Sequence, residues 1–168
     1  KSGKWACAEV NLTRGLGYGT YRFIVRDISG LEPATVFSMF TFANAAQNRE
    51  MDIEVSRWGD PANKNAQYVV QPFFIPANVE RFVAPGGVLT YSFRWQPGTV
   101  IFSTVRGYQE SSPKPNESSR LVSQHVFASG VPSPGDESVH LDLYVYGNSN
   151  PPMQKEAEVV IEKFQYLP

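Results

Sequence analysis

The chain has 168 residues, enough for one domain with a sizeable core, and its formal net charge is −1. This near-neutral balance argues against a nucleic-acid surface or a polybasic membrane surface. No apolar run approaches the ~20 residues of a membrane span, and the single cysteine, Cys7, excludes an intrachain disulfide. Apolar residues make up 42% of the chain, while 13 prolines and 13 glycines are spread along it, as is typical of short strands joined by turns.

Apolar and polar residues alternate along most of the chain, and sustained helical periodicity is absent. In chain order, the alternation predicts eleven strands: residues 5–12, 19–27, 35–42, 49–57, 66–73, 79–83, 88–95, 99–105, 121–127, 140–146 and 157–166. Strands of this number and spacing favour an all-β antiparallel sandwich or jelly roll over a βαβ fold. We expect a single domain over residues 1–168.

The fourth predicted strand contains the most informative motif, Glu50-Met51-Asp52-Ile53-Glu54. In a strand, side chains two residues apart share a face. The three carboxylates would then project together, while Met51, Ile53 and Val55 enter a core on the other side. Because like charges on one face repel, we expect at least one carboxyl to hold its proton above its ordinary pKa. A proton retained near neutral pH is what a general acid requires in glycoside hydrolysis.

Two alternatives remain open for this motif. The acids could form a solvated strand face that is paired with Arg49, Arg57 or Arg81. If the acids are catalytic, residues four apart on a flat strand have Cα atoms about 13 Å apart. Side chains leaning together across a curved sheet could approach the ~5 Å carboxyl spacing of a retaining glycosidase, whereas a flat sheet would favour the ~6.5–9.5 Å of an inverting one.

The motif resembles the E-[ILM]-D-[IVF]-E signature of family-16 glycoside hydrolases, which include laminarinases, lichenases, agarases and carrageenases. Further segments are similar to that family in the family's own order: residues 5–9, 17–23, 37–42, 93–102, 141–144 and 159–166. The chain departs from the family directly before the motif, where a tryptophan is usual and Asn48-Arg49 stands here.

The resemblance implies a concanavalin A-like β-sandwich jelly roll, in which two antiparallel sheets pack together and a concave face forms a glycan cleft. It also implies a retaining, endo-acting hydrolase of β-1,3 or β-1,4 linkages in a β-glucan or related polysaccharide. Carried over residue by residue, Glu50 is the nucleophile, Glu54 the acid/base and Asp52 the assisting carboxyl.

Candidate substrate contacts come from strands that line the family's cleft. These contacts are Glu9, Tyr68, Asp142 and Tyr144. Aromatic faces stack on the C–H groups of sugar rings, although each aromatic residue taken alone is more often a packing residue. Trp95, placed in a W-x-P hairpin, is interpreted as structural.

The expected partner is a polysaccharide or oligosaccharide, bound by a monomer that is secreted, periplasmic or at the cell surface. No redox or nucleotide cofactor and no active-site metal is expected. Many members of the family hold a structural calcium ion, for which Glu162 is the candidate carboxylate, but a surface acid is the favoured interpretation. The alternatives to an enzyme are a non-catalytic, lectin-like carbohydrate-binding module and a structural sandwich domain of a larger secreted protein.

Overall fold

The computed structural model describes residues 5–43, 49–109, 119–147 and 153–168, and in these ranges the chain forms eleven strands, together with a short 3₁₀ turn at Pro76–Asn78. The strands are β1 (Ala8–Asn11), β2 (Gly19–Val25), β3 (Thr35–Phe42), β4 (Met51–Val55), β5 (Ala66–Val70), β6 (Val79–Phe82), β7 (Leu89–Gln96), β8 (Thr99–Arg106), β9 (Leu121–Phe127), β10 (Ser138–Val145) and β11 (Ile161–Leu167). Every predicted strand is therefore confirmed. Asn48, which precedes the acidic motif, lies outside the described residues.

The strands form a six-stranded sheet in the order β1-β10-β3-β4-β5-β6 and a five-stranded sheet in the order β11-β2-β7-β8-β9. All hydrogen-bonded neighbours are antiparallel. This arrangement confirms the predicted all-β jelly-roll sandwich. Strand β4 lies inside its sheet between β3 and β5, as the apolar rear face of the acidic motif predicts.

The core lies between the two sheets and is rich in aromatic rings. Tyr21 stacks on Phe93 with ring centroids 4.5 Å apart, and Phe93 in turn contacts Phe102 at 5.7 Å. Trp95 is 1% exposed, and its indole N–H donates to the backbone oxygen of Pro132 at 3.0 Å. The structural interpretation of Trp95 is therefore confirmed.

Strand β5 ends at Val70, three residues before the predicted end of the segment 66–73. The chain continues through Pro72, which has no backbone N–H to donate to a ladder. Two aromatic residues, Phe73 and Phe74, therefore leave the sheet and enter the connection that precedes β6.

Candidate active site

The two faces of β4 differ completely in chemistry. Met51 and Ile53 are 0% exposed and Val55 is 2% exposed, all within the core between the sheets. Glu50, Asp52 and Glu54 project from the opposite, outer face of the six-stranded sheet, as the alternation predicts. These three residues are called the acid row below. Asp52 at its centre is 3% exposed, while Glu50 and Glu54 are partly exposed.

The strand register extends the site across the whole six-stranded sheet. Directly opposed residues run from β1 to β6 in the series Glu9, Asp142, Ser38, Glu54, Gln67 and Arg81. Two of the predicted substrate contacts, Glu9 and Asp142, thus lie on the same cross-strand line as Glu54. Tyr144 lies two residues beyond Asp142 on β10 and therefore shares its face.

Tyr68 is a correction to the predicted set of substrate contacts. Because Glu54 is opposed by Gln67, the next residue along β5 points to the other face of the sheet. Tyr68 is 0% exposed, its ring stacks on Phe102 at 5.0 Å, and its hydroxyl lies 2.6 Å from Thr104 Oγ1. This residue is part of the core, and Gln67 occupies the position on the site face.

Two glutamines on and after β5 hold the acid row in place. Gln67 Nε2 donates to Glu54 Oε2 at 2.5 Å, and its own carbonyl accepts from Arg81 Nε at 3.1 Å. Gln71 Nε2 donates to Asp52 Oδ2 at 3.1 Å. Sequence reasoning missed both residues, although their separation by four positions matches that of Glu50 and Glu54 on the neighbouring strand.

The three arginines considered as partners of the acids make their direct contacts elsewhere. Arg49 lies 3.9 Å from Asp136, Arg57 donates to backbone oxygens of Pro61 and Asn63, and Arg81 bonds to Gln67. The described contacts therefore do not support a surface face in which these arginines pair directly with the acid row.

Burial raises the pKa of every carboxyl in the acid row, and the charges of neighbouring acids add to the rise at Asp52 and Glu54. Burial is the largest cause that raises the pKa of Asp52 well above its usual range, and the charges of Glu50 and Glu54 raise it further. A hydrogen bond between Asp52 and Glu50 raises the pKa of Asp52 and lowers that of Glu50, as expected when Asp52 holds the proton and donates it. The raised pKa of Asp52 agrees in direction with the expectation that at least one carboxyl of the motif holds its proton above its ordinary pKa.

The pKa values of Glu50 and Glu54 are both raised, but the two side chains have different hydrogen-bond partners. Burial is the largest cause that raises the pKa of each carboxyl. For Glu50, hydrogen bonds from Asp52 and Gln71 oppose this rise. For Glu54, the hydrogen bond from Gln67 opposes it, while the charge of Glu50 adds to it. The contact with Asp52 thus distinguishes the surroundings of Glu50 from those of Glu54.

Two adjoining cavities open over the acid row. The larger has a volume of about 720 Å³ and is lined by Glu50 and Glu54, by Trp58, and by polar side chains that include Gln67 and Arg81. The smaller has a volume of about 280 Å³ and reaches Asp52. Tyr144 lines both cavities. These volumes are comparable with the ~300–1,000 Å³ of small-molecule sites, so the acids are accessible to a ligand of saccharide size.

Glu9 lies at the β1 edge of the site and contacts a histidine. His140 is 8% exposed, its Nδ1 lies 2.6 Å from Glu9 Oε1, and its Nε2 lies 3.0 Å from Ser138 Oγ. The imidazole also stacks on Phe40 with centroids 5.2 Å apart. The structure therefore gives Glu9 a direct partner within the protein, and a contact with substrate would be made by its remaining exposed surface.

Within the described residues, no group of three or more His, Cys, Asp or Glu side chains could hold a metal ion. Glu162, the candidate calcium ligand, instead accepts a hydrogen bond from Arg26 Nε at 2.8 Å. Nor does the described part of the chain contain a helix with the length and apolar character needed to cross a bilayer.

Comparison with known proteins identifies related folds. No protein-family profile and no curated protein sequence matches this chain. Among solved structures, an uncharacterized protein from Mycobacterium paratuberculosis, described as an Rv0315 ortholog, has a TM-score of 0.66 and 16% identity over 94% of this chain and 73% of that one. A β-1,3-glucanase from Mycobacterium marinum has a TM-score of 0.53 and 17% identity, covering 84% of this chain and 58% of that one.

A third similar structure is Rv0315 of Mycobacterium tuberculosis, described as an immunostimulatory antigen and pseudo β-1,3-glucanase. Its TM-score is 0.52, with 21% identity over 84% of this chain and 59% of that one. This chain thus spans 73% of the first structure and little more than half of the other two. At these identities the similarity shows a glycoside hydrolase-like fold, which a named glucanase and a named pseudo-glucanase share.

Proposed function

We propose that this protein is a retaining, endo-acting glycoside hydrolase that cleaves β-1,3 or β-1,4 linkages of a β-glucan or a related polysaccharide. One observation carries the proposal: Glu50 and Glu54 line an open cavity on the outer face of the sheet, and Asp52 is buried between them on the same strand face. An anionic carboxylate beside a second, partly buried carboxyl is the pair that glycosidic bond cleavage requires.

In the first step, Glu50 attacks the anomeric carbon while Glu54 donates its proton to the leaving glycosidic oxygen. The bond between the anomeric carbon and that oxygen breaks, and a glycosyl ester forms on Glu50. In the second step, the Glu54 carboxylate takes a proton from water, and the water oxygen displaces Glu50 from the anomeric carbon. Burial and the charge of Glu50 both raise the pKa of Glu54, which supports its role as the acid.

Asp52 and the two glutamines position these groups without reacting. The proton retained by Asp52 stabilises the Glu50 anion and orients its carboxylate. Gln67 fixes the rotamer of Glu54 through their 2.5 Å hydrogen bond. Tyr144 lines both cavities beside the acids, and we assign it as a sugar contact together with Asp142. Because a polysaccharide is too large to enter cells readily, the proposal includes action outside the cytoplasm.

The test is an assay of new reducing ends on laminarin, lichenan, agarose and carrageenan. We expect the wild-type protein to cleave at least one of the four and the Glu50→Gln and Glu54→Gln variants to cleave none. A wild-type protein that binds these polysaccharides without releasing products would overturn the enzyme proposal.

The second candidate is a non-catalytic carbohydrate-binding module. The observation that favours it is the fold shared with a protein described as a pseudo β-1,3-glucanase. The buried and mutually repelling acid row opposes it, because a binding module gains nothing from three carboxyls held in this way. Binding that is equal in wild-type protein and Glu50→Gln, with no product from either, would favour the module.

A further inference from the structure

An exposed pair of aromatic rings borders the larger cavity. Phe73 is 64% exposed and Phe74 is 74% exposed, and their ring centroids lie 6.1 Å apart at an interplanar angle of 74°. Both residues line the same cavity as Glu50 and Glu54. This pair is called the aromatic lip below. Adjacent exposed apolar side chains at the edge of a site are a feature of ligand-binding surfaces.

The backbone that carries the aromatic lip is held by hydrogen bonds. The N–H of Phe73 donates to Gln71 Oε1 at 2.8 Å, and the N–H of Ile75 donates to the oxygen of Pro72 at 3.2 Å. Asn78 closes the connection, because its Nδ2 also donates to Pro72 O at 3.2 Å and its N–H donates to Ile75 O at 2.9 Å. The two rings are therefore presented by a hydrogen-bonded turn rather than by an unsupported loop.

Gln71 joins the aromatic lip to the acid row. Its side-chain oxygen accepts from the N–H of Phe73, while its side-chain nitrogen donates to Asp52 Oδ2 at 3.1 Å. Its backbone N–H donates to the backbone carbonyl oxygen of Glu50 at 3.0 Å. One residue is thus hydrogen-bonded both to the lip and to the strand that carries the acids, which suits a ligand that contacts both at once.

Trp58 lines the same cavity beyond the other end of the acid row. Trp58 follows Glu54 by four residues and has a φ of 48°, a left-handed conformation that is uncommon for a bulky residue. Its backbone N–H donates to Ser56 Oγ at 2.8 Å, and the guanidinium carbon of Arg81 lies 4.4 Å from its ring centroid. Aromatic surfaces therefore stand on both sides of the acids within one cavity.

This combination defines the class of ligand. Flat apolar rings suit the C–H faces of sugars, and the amides and charged groups between the rings suit sugar hydroxyls. We infer that Phe73 and Phe74 form a sugar-stacking subsite at the Glu50 end of the acid row, so that the protein selects saccharide chains long enough to extend from the acids to the lip. The inference rests on the proposed function for its ligand class, but the stacking itself does not depend on turnover.

The experiment separates binding from cleavage by using Glu54→Gln as the background. Isothermal titration of β-1,3-linked gluco-oligosaccharides, from disaccharide to heptasaccharide, is carried out on Glu54→Gln and on the same variant with Phe73→Ala and Phe74→Ala. We expect the lip substitutions to weaken binding of the longest chains about tenfold or more and to leave the disaccharide unaffected, because only the long chains reach the lip.

Two controls sharpen the result. Phe73→Tyr with Phe74→Tyr keeps flat rings and is expected to retain the affinity for long chains. Tyr108→Ala removes an aromatic side chain that is 56% exposed and lies outside the lining of the cavity. This variant is expected to change neither the affinity for the longest chains nor the affinity for the disaccharide. Equal affinities with and without the lip at every chain length, or no measurable binding of any chain, would overturn the inference. Loss of long-chain binding in the lip variant together with an inactive wild-type protein would overturn only the proposed hydrolysis.

Discussion

The two faces of strand β4 show how stability and function are separated by a single residue step. On the inner face, Met51 and Ile53 are 0% exposed and pack between the sheets, which stabilises the fold. On the outer face, Asp52 is 3% exposed beside two further carboxyls, which costs stability. Only the inner face is explained by folding. The outer face is explained by the chemistry proposed for the cavity above it, and the two faces should therefore respond differently to substitution.

The largest expected effect is on catalysis. Glu50→Gln and Glu54→Gln should each lower the initial rate of glucan cleavage about 10³-fold or more, equivalent to about 4 kcal/mol in the activation barrier. Neither variant should lose stability, because each removes one of the mutually repelling charges. Glu162→Gln on the other sheet is the matched control and should retain the wild-type rate. Activity retained by either acid-row variant would remove that residue from its assigned role.

The next effect should appear on the inner face as a loss of stability. Ile53→Ala should lower the free energy of unfolding by about 2–5 kcal/mol, since it leaves a cavity in a fully buried site. Urea denaturation measures this change. The fraction that remains folded should cleave glucan at the wild-type rate, because Ile53 points away from the acids. A loss of turnover in fully folded Ile53→Ala would show that the two faces are not independent.

Asp52→Asn should change the pH dependence of stability. Because the pKa of Asp52 is raised in the folded state, the folded protein binds this proton more tightly than the unfolded chain does. The stabilisation that this bound proton gives to the folded state is fully present below the ordinary carboxyl pKa. It is lost as the pH rises through the higher pKa that Asp52 has in the folded protein. The amide that replaces the carboxyl does not titrate, so at pH 7 the variant should be more stable by on the order of 1–3 kcal/mol.

Thermal unfolding of wild-type protein and of Asp52→Asn is measured from a pH below the ordinary carboxyl pKa up to pH 7. The comparison gives the difference in how steeply the stability of each protein changes with pH. Ser56→Ala, at a position close to the acid row but without a titrating group, is the control for the substitution itself. Identical pH gradients for wild-type protein and Asp52→Asn would contradict the burial of a raised-pKa carboxyl at this position.

The smallest expected effect distinguishes two tyrosines on opposite faces of the sheet. Tyr68→Phe should lower the free energy of unfolding by about 1 kcal/mol through loss of its 2.6 Å hydrogen bond to Thr104, and should leave saccharide affinity unchanged. Tyr144→Phe should instead weaken saccharide binding, since Tyr144 lines both cavities. Oligosaccharide titration of the two variants checks this contrast, and weaker binding by Tyr68→Phe would restore Tyr68 to the site.

The sequence predicts the strands well because apolar and polar residues alternate along most of the chain. Strands β3 and β9 begin and end where the pattern predicts, and the acidic motif lies on an inner strand as its apolar rear face indicates. The position of Tyr68 was inferred from the family resemblance and not from alternation, which places Gln67 and Gln71 on one face and Tyr68 on the other. The register that sets Glu54 opposite Gln67 shows that the alternation gives the correct face.

The glutamines and the aromatic lip were missed for a different reason. Gln67 and Gln71 gain a role only through contacts with a neighbouring strand, which alternation within β5 does not reveal. Phe73 was placed at the end of a strand, but the ladder stops at Val70 and the chain turns after Pro72. Such turns, and the side chains they expose, depend on three-dimensional contacts that a single sequence does not specify.

The central claim, that Glu50 attacks the sugar while Asp52 and Glu54 hold protons, is tested most directly by trapping the intermediate. The wild-type protein is incubated with an activated 2-deoxy-2-fluoro glycoside of the saccharide that it cleaves, and its peptides are analysed by mass spectrometry. The account predicts one glycosyl adduct, on the peptide that contains Glu50, and no adduct in Glu50→Gln. An adduct on Glu54, or cleavage of the glycoside by the same preparation without any adduct and with inversion at the anomeric carbon, would contradict it.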